Sequence, residues 1–268
     1  MIIDHQTTIN DLKVYYRTAG NLEKQHLVFI HGWGGRSNGF LGNDKVIDEL
    51  AKYFFVFAPE LPGFMRSKPP REVWKVDDFS NFVDKLLQPL NLKNPIIMGQ
   101  SFGGGVAALY AKLRNNDARC LILVDAVLSG RKENWYFKLR YGFPRVAKVI
   151  NIWFIPLFLK KIIWSAYLGI PYSSLNGKNV HDYMVMAEFQ ASPYYIPRID
   201  YKQIFMPLLL VWGDRDTWVS DMERAKAIHR EVTSSRFLIV KGPHTILYRN
   251  PNYVVGKIVD ELDRMEIL

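Results

Sequence analysis

The chain holds a single cysteine, Cys120, in 268 residues. A lone thiol excludes an internal disulfide and a multi-thiolate metal site. At the head of the apolar run Cys120–Val124 it reads as a small buried hydrophobe. Histidine and carboxylate spacings typical of metal sites are also missing: no His-x-His and no His-Glu-x-x-His occurs. The run Gly103-Gly104-Gly105 lacks the spacing of a phosphate loop or dinucleotide fingerprint. No metal and no cofactor is therefore expected. Residues Met1–Gln6 carry neither the basic start nor the apolar stretch of a secretory signal. With so little cysteine, a reducing, cytoplasmic setting is expected. No transmembrane segment is expected either, because the most apolar piece, Val149–Leu159, is too short and is followed by Lys160-Lys161. There is no repeat, no low-complexity tract and no long charge block, which argues against disorder.

Hydrophobic residues make up 49% of the chain, enough for one large core. The formal charge is +9 and the pI about 9.4. Much of this charge falls in residues 130–203, which hold eleven Lys or Arg against Glu133, Asp182, Glu188 and Asp200. The segment shows no Lys/Arg block and no nucleic-acid motif, so the charge reads as solubility or substrate steering, with no nucleic-acid partner expected. The same segment contains 16 of the 37 aromatic residues and is broken by Pro144, Pro156, Pro171, Pro193 and Pro197.

Elsewhere, apolar runs alternate with helix-like stretches. Strands are expected at Lys13–Arg17, Leu27–Ile30, Phe54–Ala58, in the apolar stretch from Ile96 that leads into Gly99, and at Cys120–Val124, Leu208–Trp212 and Arg236–Val240. Helices are expected at 44–52, 77–90 (capped by Asp77 or Asp78), from Val106 to Arg114, at 221–232 and from Asn250-Pro251 onward. This rhythm predicts an α/β fold: a mostly parallel central sheet flanked by helices. Residues 1–129 and 204–268 would form the two parts of the core, and 130–203 an inserted helical cap over the strand C-termini.

The most telling motif is Gly99-Gln100-Ser101-Phe102-Gly103. An apolar strand leads into it and a helix-like stretch leaves it, which is the context of a nucleophile elbow. The glycines relieve crowding at a sharp turn, and the serine Oγ is left beside a helix N-terminus. A serine hydroxyl needs a base, and the base an orienting carboxylate. Both follow in the order Ser, Asp, His, each after an expected strand: Asp216 in Gly213-Asp214-Arg215-Asp216 and His244 in Gly242-Pro243-His244. Asp214, next to the turn glycine, and Asp125, at the end of another strand, are alternative acids. His5, His26, His181 and His229 lie in surface-like or helical contexts. His31 opens the loop His31-Gly32-Trp33-Gly34-Gly35 and is expected to fix it through ring hydrogen bonds. Backbone N–H groups of Trp33 and Phe102 are the candidate oxyanion donors. Candidate pocket residues are Trp33, Trp135, Tyr136, Trp164 and Val219.

Together these residues resemble the serine-nucleophile branch of the α/β-hydrolase superfamily, over nearly the whole chain. The His31-Gly32-Trp33-Gly34 loop and the cap of roughly 70 residues look like the carboxylesterase, lactonase and carbon–carbon hydrolase members. The resemblance implies an acyl-enzyme mechanism on Ser101, with His244 as base, Asp216 as its support and a small-molecule ester or lactone as partner. Two departures stand out. Glu60 and Met65 occupy places where the family usually has Asp and Gly, and Met65 could reach toward the cap. Pro243 intervenes before the histidine. The expected activity is hydrolysis of carboxylic esters of small or medium apolar acyl groups. Alternatives are a lactonase, including one for acyl-homoserine lactones, a carbon–carbon bond hydrolase, and a receptor-like binder that retains the triad. The basic, aromatic cap also suggests contact with a membrane surface. The sequence says nothing of oligomeric state.

Overall fold

Short, continuous apolar runs become the interior strands of one sheet, because both of their faces must be covered. The computed structural model describes residues 1–33, 43–90, 92–114, 117–129, 155–168, 172–177, 180, 197–216 and 221–268. The strands are β1 (Ile2–Ile9), β2 (Leu12–Ala19), β3 (His26–Ile30), β4 (Phe55–Glu60), β5 (Ile96–Gln100), β6 (Cys120–Val124), β7 (Leu208–Gly213) and β8 (Ser235–Val240). They pair in the order β1-β2-β4-β3-β5-β6-β7-β8. The β1–β2 and β2–β4 pairs are antiparallel and the remaining pairs parallel. Asn10 and Asp11 close the β1–β2 hairpin with φ of 47° and 62°, the positive angles that match the right-handed twist of the strands.

The helices among the described residues are α1 (Asn43–Leu50), α2 (Val76–Leu87), α3 (Phe102–Leu113), α4 (Leu157–Leu168), α5 (Met222–Glu231), α6 (Ile246–Arg249) and α7 (Pro251–Arg264). Side chains alternate across the sheet with the period of a strand. In β6, Leu121 and Leu123 join the core shared with α2, α3 and α5, while Cys120, Ile122 and Val124 join the core shared with α1, α6 and α7. Burying one such aliphatic side chain contributes about 1.5–3 kcal/mol, so the two filled faces hold together the sheet that carries the loops at the strand ends.

Some expected boundaries move, for local reasons. Lys75, not Asp77 or Asp78, precedes α2 as its cap residue, and its N–H donates to Asp78 Oδ2 at 2.7 Å. Helix α3 starts at Phe102 rather than near Val106. Gly103, Gly104 and Gly105 are poor helix formers in isolation, yet all three are buried in the first turn. Helix α6 is a single short helix after His244, too brief for any periodic signal. Asp221 caps α5 by accepting from Arg224 N at 3.0 Å, and Pro251 occupies the first turn of α7. Helix α4 falls within the expected cap, whose residues 130–154 and 181–196 lie outside the described residues.

Strand β3 passes to β4 on one side of the sheet, and its neighbour β5 passes to β6 on the other. Loops leaving two adjacent strands in opposite directions open a crevice at the strand C-termini, where α/β sheets bind ligands. Trp33 and Ser101 both lie there.

Candidate active site

Ser101 stands between β5 and α3 at φ 52° and ψ −118°, in a region that side-chain-bearing residues rarely occupy. Packing holds it there. Its N–H donates to Val124 O at 2.9 Å, and its carbonyl accepts from Val127 N at 2.9 Å. A Cβ on Gly99 would strike Gly103 O, and one on Gly103 would strike the carbonyls of Ile30 and His31. Strand, elbow and loop therefore approach as closely as backbone allows, and glycine is required at both places.

The three expected residues meet. His244 Nε2 lies 2.8 Å from Ser101 Oγ, and His244 Nδ1 lies 2.6 Å from Asp216 Oδ2. With Nδ1–H donating to the carboxylate, Nε2 is left to accept the serine proton. Asp214 does what its place beside a turn suggests: its Oδ1 accepts from Gly242 N at 2.8 Å and ties the acid loop to the histidine loop. Pro243 leaves the histidine in place, and Ile246 N closes a turn onto Pro243 O at 3.0 Å.

Asp125 lies nearby but is not the residue that His244 reaches. Side-chain atoms of Asp125, Asp216 and His244 fall within 4.8 Å of one another. The 2.6 Å separation of Nδ1 and Oδ2 is that of a hydrogen bond, closer than two ligands sit on a shared ion. Asp125 Oδ1 accepts from Gly213 N at 2.8 Å, at a fully buried site with φ 43°. Burial pushes its carboxyl well above the usual range. The Gly213 N–H opposes this and the Asp216 charge adds to it.

His31 is buried and bonded on both sides of its ring. Nδ1 donates to Gly32 O at 2.8 Å, and Nε2 accepts from Leu61 N at 3.1 Å. That pattern requires a neutral ring, and burial lowers its pKa to about 4. The sequence expectation of a loop-fixing histidine agrees with these bonds. The Leu61 end belongs to the segment bearing the two family departures. Glu60 is buried, 3.4 Å from Arg17 Nε and 2.5 Å from Arg66 Nη2, and accepts from Arg66 N at 2.9 Å. Met65 takes φ 46°, an angle that suits the family's glycine, and its sulfur accepts from Arg17 Nη2 at 3.5 Å.

Two polar residues that sequence reasoning passed over link the loops. Tyr248 Oη accepts from Gly32 N at 3.3 Å and donates to Gln100 Oε1 at 3.3 Å. Gln100 Nε2 donates to His244 O at 3.3 Å. The glycine loop, the elbow and the histidine loop are thus joined through one glutamine and one tyrosine. The available signal was a polar Gln100 at the end of an otherwise apolar strand.

Phe102 begins α3, so its N–H has no carbonyl one turn earlier to serve. Its ring is fully buried against Phe64 and Phe79 at 5.8 and 5.3 Å. Trp33 is half-buried and packs on the α2–α3 face of the core. Trp164 is fully buried in that same core. Trp135, Tyr136 and Val219 lie outside the described residues, as does His181. Cys120 is buried, and its thiol is pushed up to about 12. No helix among the described residues is long and apolar enough to cross a membrane.

A family model described as alpha/beta hydrolase fold matches residues 25–251. The uncharacterized hydrolase YugF of Bacillus subtilis is 25% identical over 278 residues, 94% of this chain and 95% of that protein. Lipase 3 of Moraxella sp. is 30% identical over 115 residues, 42% of this chain and 35% of the lipase, so the match spans about a third of that relative. A thermophilic esterase from Thermogutta terrifontis shares the fold with a TM-score of 0.72 at 20% identity, covering 99% of each chain.

Proposed function

The chain belongs to the alpha/beta hydrolase fold family, and we propose that it is a serine hydrolase that cleaves carboxylic esters of small or medium apolar acyl groups. The observation that carries this reading is the unbroken relay from Ser101 Oγ to His244 Nε2 at 2.8 Å and from His244 Nδ1 to Asp216 Oδ2 at 2.6 Å. In this reading Ser101 Oγ attacks the ester carbonyl as His244 Nε2 takes its proton, and Asp216 stabilises the imidazolium that forms. Backbone N–H groups of Phe102 and Trp33 hold the oxyanion; one such donor is worth about 100- to 1,000-fold in turnover. His244 returns the proton to the leaving alkoxide, which departs as the alcohol. Water, deprotonated by the same Nε2, then attacks the acyl-enzyme, and His244 passes that proton to Ser101 Oγ as the acid leaves.

The elbow supports this reading because a strained φ at Ser101 is maintained by packing, and such strain accumulates where a side chain must be presented. Residues 130–203 serve in this reading as a cap that supplies an apolar pocket wall, with Trp33, Trp135, Tyr136 and Val219 as the pocket candidates, while Trp164 packs in the core. The matched lipase agrees with an ester substrate. Lactones require the same groups, so substrate comparison decides between the two.

The test is turnover of p-nitrophenyl esters of graded acyl length beside an acyl lactone, with Ser101→Ala as control. Ser101-dependent ester turnover that falls with chain length is the expected result. A marked lactone preference moves the assignment to a lactonase. Ester turnover unchanged in Ser101→Ala removes the mechanism.

A further inference from the structure

We propose that the N-terminal half of α4 is a docking surface for an anionic lipid bilayer. Leu157, Phe158, Leu159 and Ile162 are 47%, 55%, 41% and 51% exposed. Phe158, Leu159 and Ile162 fall on one side of the helix and make a contiguous patch, with Leu157 exposed at its first residue, unlike the scattered single exposures of an ordinary surface. Trp164, on the side of the helix opposite Phe158, Leu159 and Ile162, is fully buried in the core. The helix is therefore anchored by one face and turns a second apolar face outward. A helix on a water-facing surface carries polar residues there instead.

The charge beside the patch selects the occupant. Lys160 and Lys161, four and three residues before Trp164, are half-buried and stand at the two borders between the buried side of the helix and the exposed apolar face. Lys161 Nζ sits 4.1 Å from the ring centre of Tyr172, itself exposed, which adds an amphipathic aromatic beside a cation. The surrounding segment 130–203 carries eleven basic residues against four acidic ones. Apolar side chains flanked by lysines and an interfacial aromatic match a membrane surface of negative charge, with the chains entering the acyl boundary and the cations meeting the phosphates. Twelve residues of helix extend about 18 Å, against about 30 Å of bilayer core, so α4 lies on the membrane and does not cross it.

The test is co-sedimentation of the full chain with large vesicles of phosphatidylcholine, alone or mixed with phosphatidylglycerol, at about 0.1 M and about 1 M salt. Binding to the mixed vesicles at low salt, and its loss at high salt, is expected. Phe158→Asp/Ile162→Asp should weaken it at least about tenfold, and Lys160→Glu/Lys161→Glu at least about 30-fold. Failure of the wild type to bind the mixed vesicles overturns the proposal. So does equal binding by the variants, or sedimentation velocity showing that the patch instead joins two copies of the chain. Turnover of a soluble short ester, expected unchanged in both variants, reports their folding. Vesicle binding is expected to persist in Ser101→Ala, so loss of docking and loss of hydrolysis are read separately.

Discussion

His244 Nδ1 reaches Asp216 Oδ2 at 2.6 Å, and only 1% of that aspartate side chain is exposed. A buried, hydrogen-bonded carboxylate holds one ring orientation and one tautomer, and in the proposed mechanism it stabilises the imidazolium formed when the serine proton is taken up. Asp216→Asn keeps the shape but reverses the donor pattern. Its kcat should fall on the order of 10,000-fold with a far smaller change in KM. A loss below tenfold would place the orienting acid elsewhere.

Asp125 is the alternative acid, and its environment predicts different behaviour. Its folded carboxyl is raised, so the neutral form is the one the fold favours. The sign follows: this site's contribution is complete below the ordinary value of 3.8 and is lost as pH rises toward the raised folded value. Asp125→Asn cannot ionise and keeps an oxygen for Gly213 N–H. Its melting temperature should gain on the wild type as pH climbs above about 4, with activity within a few-fold. Activity lost as severely as in Asp216→Asn would make Asp125 the functional acid.

Tyr248 offers its hydroxyl to Gly32 on one side and Gln100 on the other. Tyr248→Phe keeps the half-buried ring and removes only that link. The Gly32 loop should loosen, lowering kcat about fivefold at near-constant KM, in proportion to a lost hydrogen bond of about 1 kcal/mol. Steady-state kinetics at matched melting temperature is the check, and an unchanged kcat would leave Tyr248 a packing residue.

His31 must stay neutral to accept from Leu61 N–H. Its folded pKa of about 4 lies below the ordinary 6.5, so stability is complete above 6.5 and falls as pH drops from there toward 4. The loss over that window is about 3 kcal/mol. Denaturant melts between these pH values should show it in the wild type and a shallower slope in His31→Gln. Equal slopes would remove His31 as the source.

The sheet was readable because its strands are local events: β6 occupies the apolar run Cys120–Val124, and Gly99 and Gly103 mark where backbone must pass close to backbone. The meeting of Ser101, Asp216 and His244 was readable because each follows a recognisable strand. The choice among Asp125, Asp214 and Asp216 depends on which side chain turns inward, which is a tertiary property. The Gly32–Tyr248–Gln100 link was invisible for the same reason, since its partners are 216 and 148 residues apart in the chain. Lys75 as a cap residue was missed because the bond comes from its backbone N–H, a group every residue but proline carries. The outward apolar face of α4 shows in sequence only as hydrophobicity; its exposure appears once Trp164 fixes the opposite face inward.

Intact-mass spectrometry during turnover of a slow p-nitrophenyl ester, quenched in acid, tests whether Ser101 is the acylated nucleophile. A protein species heavier by one acyl group is expected, mapped by peptide digestion to Ser101 and absent in Ser101→Ala, whose turnover falls by at least about 1,000-fold. Ester cleavage at full rate in Ser101→Ala, with no acyl group on the elbow peptide of the wild type, would contradict it.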